Sequence, residues 1–177
     1  SGIEAATVAW HPLNWEPVAF SEIEKFPSAV LKHHYPQTPN LGDMTKFKEW
    51  PDANINVLVG GTPCQSYSVA GLRKGLADPR GNLMLTYIAI AGRYRPEWVV
   101  WENVPGVLSS EGGRDFASFL GALTGRHVEC PPGGWSNSGI VPGIESAYGV
   151  AWRVLDAQYF GVAQRRRRVF VVGHLGN

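Results

Sequence analysis

Short apolar runs at residues 18–20, 56–59, 98–101, 150–155 and 169–172 alternate with segments whose apolar residues recur at three and four spacing. This alternation restricts the fold more than any other feature of the chain. The runs have strand length, whereas residues 4–10, 24–33, 82–92 and 115–123 carry the periodicity of amphipathic helices. Strands that alternate with helices imply crossover connections, so the expected class is α/β, a mostly parallel sheet with helices on its faces. Asp115 is placed to cap the last helix. Pro131, Pro132, Gly133, Gly134, Pro142 and Gly143 interrupt any period in residues 124–149, which predicts a long surface excursion rather than a core element. With no internal repeat and no dividing linker, residues 1–177 are read as one domain.

Composition narrows the possible functions. The chain is 44% hydrophobic with seven Trp, enough apolar mass for one sizeable core. Lys plus Arg is 16 against 15 Asp plus Glu, which argues against a polybasic sleeve or an acidic tail. Any nucleic-acid contact must therefore be local, and Arg165, Arg166, Arg167 and Arg168 are the dense cationic run. Two cysteines, Cys64 and Cys130, are too few for a disulfide framework and fit a reducing, cytoplasmic setting. No stretch approaches the roughly 18 to 20 apolar residues that cross a bilayer, so no membrane partner is expected. The five histidines show no ligand spacing with the cysteines, so no metal site is expected. The chain opens on Ser1 and stops just after an apolar run, which reads as a fragment truncated at both ends.

Three stretches could carry chemistry. Gly60-Gly61-Thr62-Pro63-Cys64-Gln65-Ser66 follows the apolar run at 57–59 and delivers a cysteine at a strand's carboxyl end, where open α/β sheets bind ligands. A lone cysteine is more often a small buried hydrophobe than a nucleophile; the Gly-rich Pro-Cys-Gln context shifts that balance. In Trp98-Val99-Val100-Trp101-Glu102-Asn103-Val104, Glu102 ends an apolar strand, where a partly desolvated carboxyl can donate a proton or a hydrogen bond. A turn cap or an arginine partner is the plain alternative. In Gln164-Arg165-Arg166-Arg167-Arg168, arginines run into a strand, so Arg166 and Arg168 are expected on one face. Forked guanidinium groups suit phosphates and base carbonyls, although a solvated cationic edge is an equally physical reading for Arg165 and Arg167.

Taken together and in this order, Pro63-Cys64-Gln65, Glu102-Asn103-Val104 and Gln164-Arg166-Arg168 resemble the motifs of the DNA cytosine-5 methyltransferase family of bacterial or phage type. Weaker matches extend the resemblance. Ser1-Gly2-Ile3 resembles the tail of the family's first cofactor motif, with Glu4 where glycine is common. Glu22 resembles the acidic residue for the cofactor's ribose, with Ile23 in the place where a stacking Trp often stands. Asp43 beside Met44 resembles the carboxylate that reads the adenine amino group, and residues 78–83 resemble the segment that closes over the cofactor.

The resemblance implies an α/β, Rossmann-like S-adenosylmethionine-dependent methyltransferase sheet with helices on both faces, and methyl transfer from S-adenosylmethionine to carbon 5 of cytosine in duplex DNA, with S-adenosylhomocysteine as co-product. It makes Cys64, Glu102, Arg166 and Arg168 catalytic, and gives cofactor contacts to Ser1, Gly2, Ile3, Glu22, Ile23, Asp43, Met44, Gly61, Pro63 and Leu83. Gln65, Ser66, Ser68, Gln164 and Arg166 are implied on the DNA side, with the target base flipped out of the stack. Target recognition is expected from a missing carboxyl-terminal part or a second chain, and a cognate restriction endonuclease is a further possible partner. A transfer-RNA cytosine-5 methyltransferase and a non-catalytic cofactor- or DNA-binding module are the rivals. A nicotinamide oxidoreductase is disfavoured because no Gly-x-Gly-x-x-Gly follows a strand.

Overall fold

The computed structural model describes residues 2–62 and 83–176, which fall in two compact units, Ser1–Ala53 and Asn54–Asn177. Ser1, Pro63, Cys64, Gln65, Ser66, Ser68 and residues 78–82 lie outside the described residues.

The first unit holds α1 (Ala5–Trp10), a 3-10 turn at His11–Leu13, α2 (Lys25–His34) and a 3-10 segment at Met44–Glu49. Phe20, Leu31 and Phe47 are buried, with Tyr35 edge-on to Phe20 at 5.3 Å between ring centroids. The strand expected at 18–20 reduces to one parallel bridge between Phe20 and Asn40. Phe20 donates to the Pro39 carbonyl at 2.9 Å and accepts from Leu41 at 2.7 Å. Pro17 has no N–H to extend the pairing, and Val18 is exposed, so burial rewards only Phe20.

The second unit is built on five strands: β1 (Val57–Gly61), β2 (Trp98–Asn103), β3 (Ser138–Val141), β4 (Tyr148–Asp156) and β5 (Arg167–Leu175). Their order is β1-β2-β5-β4-β3. Only β1 and β2 pair in parallel; the β2–β5, β4–β5 and β3–β4 ladders are antiparallel. The sheet is thus mixed rather than mostly parallel. Apolar periodicity reports that a strand is half-buried but not its direction, and the segment between β4 and β5 holds only a 3-10 turn, too little for a crossover.

Helix α3 (Leu83–Tyr94) precedes β2, and α4 (Arg114–Thr124) follows it. Both lie against the face that carries Val99, Trp101, Val169, Val171, Val150 and Trp152, all buried. Trp101 packs on Phe119 of α4 at 4.3 Å between centroids, and Phe116 meets Trp152 edge-on at 5.5 Å. Tyr87 of α3 points its hydroxyl at the backbone carbonyls of Leu58 (3.2 Å) and Val100 (3.0 Å), one on each parallel strand. Gly60 makes room for that ring: a Cβ there would sit 2.9 Å from two of its carbons.

Two local expectations change. The cap of α4 is Gly113, at φ 86°, not Asp115; Asp115 is the helix's second residue, fully buried, and accepts a hydrogen bond from the Ser110 hydroxyl. Residues 124–149 are not wholly irregular, because β3 lies within them. Its pattern is faint for a physical reason: Gly139 leaves space for the Trp152 ring, which a Cβ would meet at 2.2 Å, and its apolar Ile140 is 74% exposed. Trp135 anchors the same segment, edge-on to Phe116 and Trp152, with its indole N–H donating to the Gly113 carbonyl at 2.8 Å.

Candidate active site

Strand alternation divides the end of β2 between two tasks. Trp101 and Asn103 point into the buried face, while Glu102 points to the opposite one. Glu102 is level with Gly61 of β1 on one side and Phe170 of β5 on the other. Arg168, two residues before Phe170, brings its Nε to 2.8 Å from Glu102 Oε1, and its Nη1 donates to the Arg167 carbonyl at 2.8 Å. Gly61 contributes clearance rather than contact: a Cβ there would stand 3.1 Å from Glu102 Oε2.

The inward pair holds the chain where it leaves β1. Asn103 Nδ2 donates to the Thr62 carbonyl at 2.8 Å, and its Oδ1 accepts from the Val104 N–H at 2.8 Å. Trp101 Nε1 donates to the Thr62 hydroxyl at 3.2 Å, and all three residues are buried. Sequence reasoning passed over Thr62. Its only signal is adjacency to Pro63-Cys64.

Of the arginine run, Arg168 alone is brought to Glu102. β5 begins at Arg167, so Arg165 and Arg166 precede the ladder, and strand alternation separates Arg167 from Arg168 only. Arg167 reaches Asn137 Oδ1 at 3.5 Å. Asp156, also absent from the sequence-based set, organises this approach. Its side chain accepts from the Arg166 N–H at 3.0 Å and from Gln158 Nε2 at 2.7 Å, and the Ala157 N–H donates to the Arg166 carbonyl at 3.1 Å. Residual burial opposes the charge on Asp156, but the Gln158 and Arg166 hydrogen bonds and the nearby Arg167 outweigh it and hold the carboxyl below its ordinary range. Gln164 is exposed, with its N–H on the Val162 carbonyl at 2.7 Å. Leu83 opens α3 and is partly buried.

Within the first unit, Gly2, Glu22 and Ile23 come together. Glu22 Oε2 accepts from the Gly2 N–H at 2.7 Å, and Oε1 accepts from the N–H groups of Ile23 and Glu24 at 2.8 and 2.9 Å. Burial works against the charge on Glu22, but those backbone donors prevail and keep its carboxyl below the usual range. Asn40 was missed by sequence reasoning. Its Oδ1 accepts from Glu22 and Gly42 at 2.9 and 3.2 Å, and its Nδ2 donates to the Glu22 carbonyl at 3.0 Å, so it ties Glu22 to the turn that carries Asp43 and Met44. Asp43 Oδ1 accepts from the Thr45 N–H and hydroxyl, at 2.9 and 2.8 Å, and these bonds lower its pKa. Ile3 and Ile23 are exposed apolar side chains. An ionised, fixed Glu22 beside exposed Ile23 fits a polyol next to a flat apolar ring, which is the chemistry of a nucleoside. No group of three or more His, Cys, Asp or Glu that could hold a metal occurs among the described residues, and no helix among them is long and apolar enough to cross a membrane.

Comparison with known proteins places these features. A DNA N-6-adenine-methyltransferase of Escherichia phage P1 is 48% identical, over 97% of this chain and 27% of its own length. The orphan methyltransferase M.SPRI of Bacillus phage SPR is 31% identical, over 98% of this chain and 36% of its own length. The chain thus spans about a third of these curated relatives or less. Among solved structures, the Dnmt2 methyltransferase of S. pombe superposes with a TM-score of 0.66 at 17% identity, covering 100% of this chain and 49% of that one, a likeness of fold. The sequence profile described as C-5 cytosine-specific DNA methylase matches residues 1–125 and 143–177. With most of its length matched by that profile, the chain belongs to the C-5 cytosine-specific DNA methylase family.

Proposed function

We propose that the chain is the catalytic part of an enzyme that methylates carbon 5 of cytosine in duplex DNA, with Cys64 as the nucleophile. The observation that carries this reading is the Glu102–Arg168 pair at 2.8 Å, at the end of the strand adjoining the one that leads into Pro63-Cys64-Gln65.

Carbon 5 of cytosine is a weak nucleophile until electrons are loaded into the ring. The Cys64 thiolate supplies them by forming a bond to carbon 6, which drives charge toward N3 and the base carbonyl. Glu102 donates a proton toward N3, and the guanidinium beside it answers the charge at the carbonyl oxygen. S-adenosylmethionine, when bound, supplies an electrophilic methyl group to the activated carbon. Water or another base then takes the carbon 5 proton, the sulfur–carbon bond breaks with Cys64 leaving as thiolate, and N3 returns its proton to Glu102, which restores the ring. Glu22 and Asp43 would hold the cofactor's ribose and adenine, with Gly2, Ile3, Ile23 and Met44 around them. The target base must leave the stack to meet Cys64, at a cost of a few kcal/mol. Gln65, Ser66, Ser68, Gln164 and Arg166 are assigned to the DNA.

The adenine specificity in the name of the phage P1 relative suggests a second reading. An exocyclic amine already carries a lone pair and needs no thiol addition, so the Cys64, Glu102 and Arg168 set favours the carbon 5 reaction. Target recognition is assigned to sequence outside these residues, and the protein acts with or without a companion endonuclease.

The test is incubation of the full protein with labelled cofactor and, in separate reactions, duplex DNA and transfer RNA, followed by hydrolysis of the product and identification of the methylated base. A parallel duplex carrying 5-fluorocytosine should crosslink to the wild type and not to Cys64→Ala. Label found only in N6-methyladenine or only in transfer RNA would overturn the proposal.

A further inference from the structure

We infer that Asn40 is a positioning residue of the cofactor site, whose side-chain amide sets Glu22 and Asp43 relative to each other and so sets how sharply the chain tells an adenosyl group from its analogues. The inference rests on the cofactor role given to Glu22 and Asp43 above. An asparagine amide has two N–H donors and a carbonyl oxygen with two lone pairs, and Asn40 uses all four. Oδ1 accepts from the Glu22 N–H at 2.9 Å and the Gly42 N–H at 3.2 Å. Nδ2 donates to the Glu22 carbonyl at 3.0 Å and to the Ser28 hydroxyl at 3.2 Å.

The backbone explains why a side chain does this. The two segments meet in an isolated parallel bridge at Phe20 and Asn40, where Phe20 donates to Pro39 and Leu41 donates to Phe20. At Glu22 the Asn40 amide engages both the N–H and the C=O, as the main chain of a neighbouring strand would, and so extends the pairing to the residue whose carboxylate belongs to the site. The same oxygen holds the N–H of Gly42, the turn residue at φ 71° directly before Asp43. Asp43 is held from its other side by Thr45. One planar group thus fixes the main chain at Glu22 and beside Asp43, and neither can shift without straining its bond to that group. Asn40 is exposed, and exposed hydrogen bonds add little to stability. Without it, the Phe20 bridge and the Ser21 hydroxyl on the Gly42 carbonyl at 2.7 Å still join the segments. What the four bonds contribute is preorganisation of the site rather than the fold.

The experiment uses the full protein with Asn40→Ala and Asn40→Ser. Calorimetric titration measures affinity for S-adenosylhomocysteine and for S-inosylhomocysteine, in which an oxygen replaces the adenine amino group, and the melting temperature is read without ligand. Asn40→Ala should bind S-adenosylhomocysteine roughly tenfold more weakly, and its preference over the inosyl analogue should shrink by roughly fivefold, with the melting temperature near wild type. If Asn40→Ala does not fold, Asn40→Ser, whose hydroxyl can keep only some of the bonds, should show the same losses to a smaller degree. Unchanged affinity in the folded variant, or an equal loss for both ligands that leaves the preference intact, overturns the inference. So does a wild type that binds the two ligands alike. A wild type whose binding responds as expected but which methylates no cytosine would sink the proposed function and leave the positioning role of Asn40 standing.

Discussion

Arg168 Nε lies 2.8 Å from Glu102 Oε1, on a diagonal of the antiparallel β2–β5 ladder, and both side chains are only partly exposed. The pair joins residues far apart in sequence that each end up on the sheet face opposite the helices. It also distinguishes Arg168 from its neighbours, because its guanidinium meets Glu102, whereas Arg166 meets Asp156 through its backbone N–H and the Arg167 guanidinium reaches Asn137.

Removing either member should cost turnover more than binding. Arg168→Ala and Glu102→Gln are each expected to lower the methylation rate by roughly a hundredfold, the scale of losing a donor at developing charge. Because the two act as a unit, the double variant should fall well short of the product of the single losses. Single-turnover kinetics on the four proteins closes the cycle, and strict additivity would separate the two roles.

Gly61→Ala should act through Glu102. The new methyl would stand 3.1 Å from Oε2, so the carboxylate must give by a few tenths of an ångström while it holds Arg168 through Oε1. A loss of turnover with an unaltered melting temperature is expected, and Arg168→Ala in the same background should add little.

Tyr87→Phe should cost stability and spare chemistry. Burial, with a smaller contribution from Tyr148, pushes the Tyr87 hydroxyl far above its ordinary pKa, so it stays a proton donor to the two strand carbonyls it meets. Removing it should destabilise by about 1–2 kcal/mol, read as a lower urea midpoint with the slope unchanged.

Acid should loosen the Glu22 turn. Its folded pKa lies below the ordinary 4.5, so its stabilisation is full above that value and is lost as pH falls through the folded pKa. Tryptophan fluorescence of the wild type should therefore change on acidification below pH 4.5, and Glu22→Gln should flatten that change.

Arg165 and Arg166 precede β5, and Asp156 holds the Arg166 backbone without engaging its charge. Replacing either with Ala should weaken duplex binding and reduce the slope of log affinity against log salt by about one. Fluorescence anisotropy at several salt concentrations measures it; an unchanged slope would leave these arginines to solvent.

The sequence was most legible where burial and chemistry coincide. Trp98 to Asn103 carries both the strand period and the acid, and all four predicted helices lie near their expected positions. Strand direction was not legible, because β4 and β5 alternate in the same way whether their neighbours run up or down. β3 was hidden because its glycine is a space for Trp152, and such a space leaves no apolar mark. Thr62, Asn40 and Asp156 escaped notice because each acts on backbone through hydrogen bonds, an arrangement that depends on residues brought near only by folding. Cys64, the residue most telling in the sequence, lies outside the described residues, and its role rests on motif and chemistry.

The closeness of Gly60 to the ring of Tyr87 binds the histories of two codons. Alanine at 60 would meet the aromatic carbons at 2.9 Å, so a randomised library selected for folded protein should return glycine there while tyrosine stands at 87. A smaller residue at 87 should release that restriction. A side chain at 60 should therefore appear only in sequences where 87 has become smaller.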